Sequence, residues 1–317
     1  MTTTPGLSPR TIIQLPITRA LAEQYVGNRV VPGLFEPFRM WGLCSRMVDV
    51  ARVDSGAEAR AVHGLAGAGD DFPEGDGMFV IRFLASWPGL FRASFGARTT
   101  EDAARLGSSL VLPEPFLGTG YTAYAPAAVP EFWMELSEAP IGAEIWHLAE
   151  VGGEGYEKGL ARFAGRYSGW RSYPAAEERG LTPGGVPEAS AGSVARGVGV
   201  VDEGGTWPAD FGPNAGELTA YRTSGDGSVT ARRLTDGQCE QVFHRRLLTT
   251  WRGAPFEVLA LGAETATLVL TSGNAEEATR LGLDAAGRHA WRAQAPKAQL
   301  GELTEETRTI GVQPQFG

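Results

Sequence analysis

The 317 residues are 43% hydrophobic and 21% charged, the balance of a globular rather than a disordered chain, and their number favours two domains. A net charge of −9 argues against a nucleic-acid binder, since the densest basic run, 243–252, holds only three arginines. No stretch approaches the about eighteen uninterrupted apolar residues that a membrane helix needs, and no basic, apolar leader opens the chain, so a cytoplasmic protein is expected.

In chain order, a short helix is expected before a turn at Gly27-Asn28, followed by an apolar stretch broken by Pro32 and Pro37. A strand is expected near Met47 to Val53, and 55–77 reads as an acidic, glycine-rich loop. Residues 78–86 give the clearest strand of the first half, and 89–96 alternates as if to pair with it across Trp87-Pro88. Thr99 or Thr100 suits a helix cap, with Glu101 and Asp102 in the first turn and Gly107 as the stop. Residues 109–112 read as a short strand, 113–126 as a loop, 128–138 as helical and 142–151 as a strand.

Glycine and proline then dominate, which places a linker at 179–198 between an N-terminal α+β domain, 1–178, and a sheet-rich α+β domain, 199–317. In the second domain, 217–224, 227–235, 239–253, 254–262 and 265–273 alternate or run apolar between short turns, the pattern of an antiparallel meander. The stretch TEDAARLG at 100–107 is echoed by AEEATRLG at 275–282, each following an apolar strand. The fold class is therefore α+β: two modules of mainly antiparallel sheet with short helices, related by a diverged internal duplication.

Motifs of chemistry are scarce. The Gly118-x-Gly120 loop lacks the third glycine and the strand-to-helix setting of a dinucleotide site. His63, His147, His244 and His289 share no ligand spacing, Cys44 and Cys239 form no Cys-x-x-Cys pair, and no Gly-x-Ser-x-Gly elbow occurs. No metal and no cofactor are expected. The acidic pairs fall at helix starts or in the tail, where the helix dipole accounts for them. Aromatic residues dominate interface energetics, which makes Phe116, Tyr121 and Tyr124 on the glycine-flexed loop one candidate contact surface. Trp251 and Arg252, at a turn between two apolar strands, make the other, with Arg252 suited to stacking on a ring or pairing with a carboxylate.

The Trp251-Arg252-Gly253 turn, Phe256, Ala278, Leu281 and Gly282 resemble small actinobacterial proteins found beside type VII-secreted toxins, including NAD-glycohydrolase toxins. The resemblance covers about residues 237–309. It implies a cytoplasmic immunity or accessory protein that binds a toxin and blocks it. The expected function is accordingly a non-enzymatic protein-binding module, a monomer or dimer with a protein partner. One alternative is an enzyme acting on a small metabolite, with His147 the first histidine to inspect. Another is a structural component of a phage or secretion apparatus.

Overall fold

Alternating apolar residues make Ile12–Ile17 (β1) a strand. Thr18 converts it into a helix, Arg19–Val26 (α1), because the threonine hydroxyl accepts the Leu21 N–H at 3.3 Å. The computed structural model describes residues 10–28, 39–50, 56–65, 72, 77–85, 90–92, 121–124, 127–151, 154–185, 196–203, 205–235 and 237–310. After α1 come β2 (Arg39–Arg46), α2 (Met47–Val50), α3 (Gly56–Val62), β3 (Met78–Leu84), β4 (Leu90–Arg92), β5 (Tyr121–Tyr124) and β6 (Ala127–Pro130). Next are β7 (Phe132–Glu138), β8 (Glu144–Val151), β9 (Glu154–Phe163), β10 (Trp170–Ser172) and α4 (Pro174–Glu178). The second half contributes β11 (Gly197–Asp202), β12 (Gly205–Phe211), β13 (Glu217–Thr223), β14 (Val229–Thr235), β15 (Gln241–Trp251), β16 (Ala254–Leu261) and β17 (Thr265–Leu270). It closes with α5 (Ala275–Leu281), β18 (Asp284–Gly287), β19 (Ala290–Pro296) and β20 (Thr304–Ile310).

Antiparallel sheet dominates, and the helices are few and short. In the first half the strands run β4-β7-β2-β1-β3-β8-β9-β10. In the second, β14-β13-β12-β11 leads into the long β15, which has β11 and then β16 along one edge and β20 along the other. The order continues β16-β17-β19-β18, and Gly287 of β18 pairs with Ile17 of β1, so the two halves share one sheet. None of the described helices is long and apolar enough to cross a membrane.

The structure corrects several sequence expectations. Residues 128–138 are strands, β6 and β7, not a helix: β7 is paired on one edge by β2 and on the other by β4. The strand expected at 47–53 lies earlier, as β2, and Met47–Val50 is a helical turn braced by Arg46 Nε donating to Asp49 Oδ2 at 2.6 Å. Residues 51–53 lie outside the described residues. Within the expected 55–77 loop, Gly56–Val62 is helical, and its buried Ala59 packs with Leu65, Phe72, Met78, Val80 and Leu148. Leu90–Arg92 pairs with β7 rather than with β3, because β1 and β8 already occupy both edges of β3. Part of the expected 113–126 loop is β5, paired with β6. The cap at Thr99 or Thr100 and the strand at 109–112 lie outside the described residues.

The expected strands at 78–86 and 142–151 form, as do those of the second half. The helix of the second echo is capped by Asn274, whose Oδ1 accepts from the Glu277 N–H at 2.7 Å, and stopped by Gly282 at φ 67. The first echo, 100–107, lies outside the described residues.

One hydrophobic cluster takes side chains from both halves, including Ile13, Phe132 and Trp170 with Val198, Phe211 and Val242. A second gathers Trp251, Phe256, Leu268 and Leu281. Charges inside the first are paired. Glu138, 1% exposed, accepts on Oε1 from Arg39 Nη1 at 2.8 Å and from the Val198 N–H at 3.0 Å, with Arg166 Nη2 at 3.6 Å. Arg166 in turn donates to Asp210 through Nε at 2.8 Å, and the Tyr221 hydroxyl donates to the same carboxylate at 2.7 Å. Gly197, at φ 89, lies so close to Glu138 Oε1 that a Cβ there would collide with it.

His63 is fully buried, and the Gln14 amide nitrogen lies 2.9 Å from its Nε2, an arrangement that suits a neutral ring accepting that N–H. Burial first, then the charges of Arg288 and Arg82, pull its pKa down to about 3. A lowered histidine leaves stability intact above the ordinary value of 6.5 and removes it as pH falls through that value toward 3. We expect wild type to lose about 2 kcal/mol more than His63→Gln between pH 6.5 and pH 5, measured by denaturant titration. Equal losses in the two proteins would show that the imidazole titrates normally.

Candidate site: a cavity with a buried carboxylate ladder

Strand alternation decides which charges meet. β7 pairs with β2 through a bulge: Arg39 lies opposite Glu138 and Leu43 opposite Trp133, and β7 gains one residue on β2 between Met134 and Ser137. In β15, His244, Arg246 and Leu248 share a face; Leu248 lies opposite Glu257 of β16, and His244 lies opposite Arg308 of β20. Glu135 reaches this face from β7. Arg308 Nη2 donates to its Oε2 at 2.6 Å, and Arg246 Nη1 lies 3.7 Å from its Oε1. Arg246 also donates through Nε to Glu257 Oε2 at 2.9 Å, with Nη2 2.8 Å from the same oxygen. The result is a row of alternating charge: Arg308, Glu135, Arg246, Glu257.

Beside this row lies a cavity of about 270 Å³, walled by Trp41 of β2, Trp133 of β7 and Phe256 of β16, with Glu135, Arg246, Thr249 and Glu257 supplying polar groups. Two of its groups are incompletely satisfied. Trp41 is 3% exposed, and its buried indole Nε1 has no hydrogen-bond partner. No donor among the described residues reaches the second oxygen of Glu257, Oε1. Buried polar groups are rarely left open, and the Trp41 nitrogen, sealed from solvent, is such a case.

Burial raises the Glu257 pKa to about 7, with Arg246 opposing and Glu135 assisting. At neutral pH the group therefore carries a proton part of the time, and can both donate and accept. His244, in the same row, is pulled down to about 3 by burial and by Arg39, Arg246 and Arg308, which keeps it neutral.

The structure disperses the sequence candidates. Trp251 is 5% exposed; its indole donates to Gln299 Oε1 at 3.3 Å, and its ring sits edge-on to Phe256 at 5.8 Å. It is thus a core residue next to the cavity wall. Arg252 stacks on it, 4.3 Å from the ring centroid, on an exposed two-residue turn where Arg252 and Gly253 have φ 50 and 78. Tyr121 and Tyr124 belong to β5, which forms a separate two-stranded sheet with β6. Phe116 lies outside the described residues. His147 is buried and packs on Phe79 at 4.7 Å between centroids. Among the described residues no cluster of His, Cys, Asp and Glu could hold a metal ion.

Sequence reasoning missed Trp41, Trp133, Glu135, Arg246 and Glu257. A usable signal was there: isolated charges inside otherwise apolar strands, as in FWMELSE and APFEVLAL. No protein-family model, curated protein or solved structure matches the chain.

A raised carboxyl stabilises the fold below its ordinary pKa of 4.5, and that contribution is lost as pH climbs through about 7. Replacing Glu257 by Gln removes the dependence. The variant should therefore gain on wild type by roughly 3 kcal/mol between pH 4.5 and pH 7, read from denaturant midpoints at several pH values. A difference that stays flat across this range would mean that Arg246 holds the carboxylate ionised.

Proposed function

We propose that this chain binds a small ligand in the cavity between β2, β7 and β15–β17, with Glu257 as its hydrogen-bond partner and, where the ligand is transformed, its acid or base. The observation that carries this reading is a protonatable buried carboxyl on the wall of a largely apolar cavity. Its size, below the roughly 300–1,000 Å³ of drug-sized pockets, favours a ligand of few atoms. A panel of metabolites of mixed charge and shape, screened by thermal shift at pH 6 and pH 8, tests the reading. A hit should raise the melting temperature of wild type and do so less in Glu257→Gln. A panel without hits on wild type counts against it.

The second reading is a protein-binding module of the immunity type, in a monomer or dimer. It draws on the likeness of residues 237–309 to proteins encoded beside secreted toxins, and on Arg252, which stands exposed on the β15–β16 turn with Trp251 as its rigid support. In this reading the echo of 100–107 at α5 reflects two related modules. Tagged protein should retain one stoichiometric partner from host lysate, and Arg252→Ala should weaken that complex by about 2 kcal/mol or more. A complex indifferent to Arg252 would place the interface elsewhere.

A further inference from the structure

We infer that β20 is a docking edge for a second copy of this chain, whose own β20 joins it antiparallel across a two-fold axis at Thr307. β20 pairs with β15 along one edge, and among the described residues no strand occupies the other. An open edge is a template for further strand pairing, and seven residues offer roughly 23 Å of it. Side chains on both of its faces reach solvent: Glu305, Thr307 and Thr309 are exposed, and Glu306, Arg308 and Ile310 are half-buried.

The charge pattern of Thr304–Ile310 selects a second copy as the partner. Two copies related by a two-fold axis normal to the sheet pair about one central position, and the register that uses all seven residues centres on Thr307. Thr307 then faces its own counterpart, Glu305 faces Thr309 and, twice over, Glu306 faces Arg308, a pairing of opposite charges that stabilises a sheet. Moving the axis by one residue either way sets Glu306 against Glu306 or Arg308 against Arg308, and shortens the ladder. Length and charge choose the same register. β14 is the contrast: it too has seven residues and, among the described residues, a single partner strand, but its full-length register would put Arg232 opposite Arg232.

The contact extends the charge row beside the cavity. Glu306 lies opposite Arg246 of β15, and Arg308 donates to Glu135 at 2.6 Å. Once two copies pair, Arg308 of the second copy stands next to Glu306, so the alternation of charge runs from one copy into the other. The pairing is independent of what the cavity binds.

Sedimentation velocity on the full chain from about 5 to 500 µM tests it, a range suited to a small and therefore weak interface. The mass should climb toward that of a dimer and stop there, since a two-fold pairing closes on itself. Thr307→Lys changes an exposed side chain and sets two cations face to face; it should weaken the dimer at least tenfold and leave the melting temperature at low concentration unchanged. Thr307→Cys and Thr309→Cys, treated with a short bis-maleimide, read the register. The thiols of the first face each other and should crosslink, while those of the second stand roughly 13 Å apart along the strands and should not. Wild type, with Cys44 and Cys239, sets the baseline. A chain that stays monomeric throughout, a dimer indifferent to Thr307→Lys, equal crosslinking of the two cysteine variants, or growth beyond the dimer would each overturn the pairing.

Discussion

The Glu138 carboxylate is the constraint on which the arrangement of both halves depends. It is buried among apolar side chains, so its ionised form is tolerable only where several donors converge, and these come from three separated segments: Arg39, Arg166 and the Val198 backbone. The pairing is balanced further by Asp210, which receives both the Arg166 side chain and the Tyr221 hydroxyl. Such pairs contribute less to net stability than to uniqueness, because each wrong placement strands a buried charge. Here the device sets how β7 stands against β11, and Gly197 is required at the point where the backbone passes the carboxylate.

Register gives that device reach. β7 carries both Glu135 and Glu138, and each carboxylate has its own arginines: Arg39 and Arg166 for Glu138, Arg246 and Arg308 for Glu135. A slip of one residue along β2 would turn both glutamates away from their partners at once. The strand that ties the halves together is thus the strand that delivers Trp133 and Glu135 to the cavity. Site and fold draw on the same pairing, so the cavity wall is as well specified as the core.

Much of the sheet was legible in the sequence and little of the site. β3, β8 and the strands of the second half declare themselves by short apolar or alternating runs between turn formers, a local property. β7 does not, because Glu131, Glu135 and Glu138 recur at a spacing that also suits one face of a helix; what makes it a strand is pairing with β2 and β4, which no local pattern reveals. α3 hides for a different reason, since the glycines around it mask a short run of good helix formers. The cavity groups come from residues 41, 133, 135, 246 and 257, and their meeting follows from long-range pairings alone. Trp251 and Arg252 were visible because turn chemistry is local; the charge row beside them was not.

The behaviour of Glu257 follows from sharing. Arg246 lies within 2.8 Å of it and would ordinarily hold a carboxylate ionised, yet the same guanidinium lies 3.7 Å from Glu135. When Glu257 takes a proton, Arg246 keeps Glu135 as counter-charge, and Glu135 keeps Arg308 at 2.6 Å. Protonation therefore strands no buried cation, and the repulsion between the two carboxylates is relieved in the same step. Burial then decides the balance, and places the proton near neutrality on the carboxyl that borders the cavity. One guanidinium between two carboxylates, with a second arginine behind, is enough to make a buried acid responsive without loosening the strands that hold it.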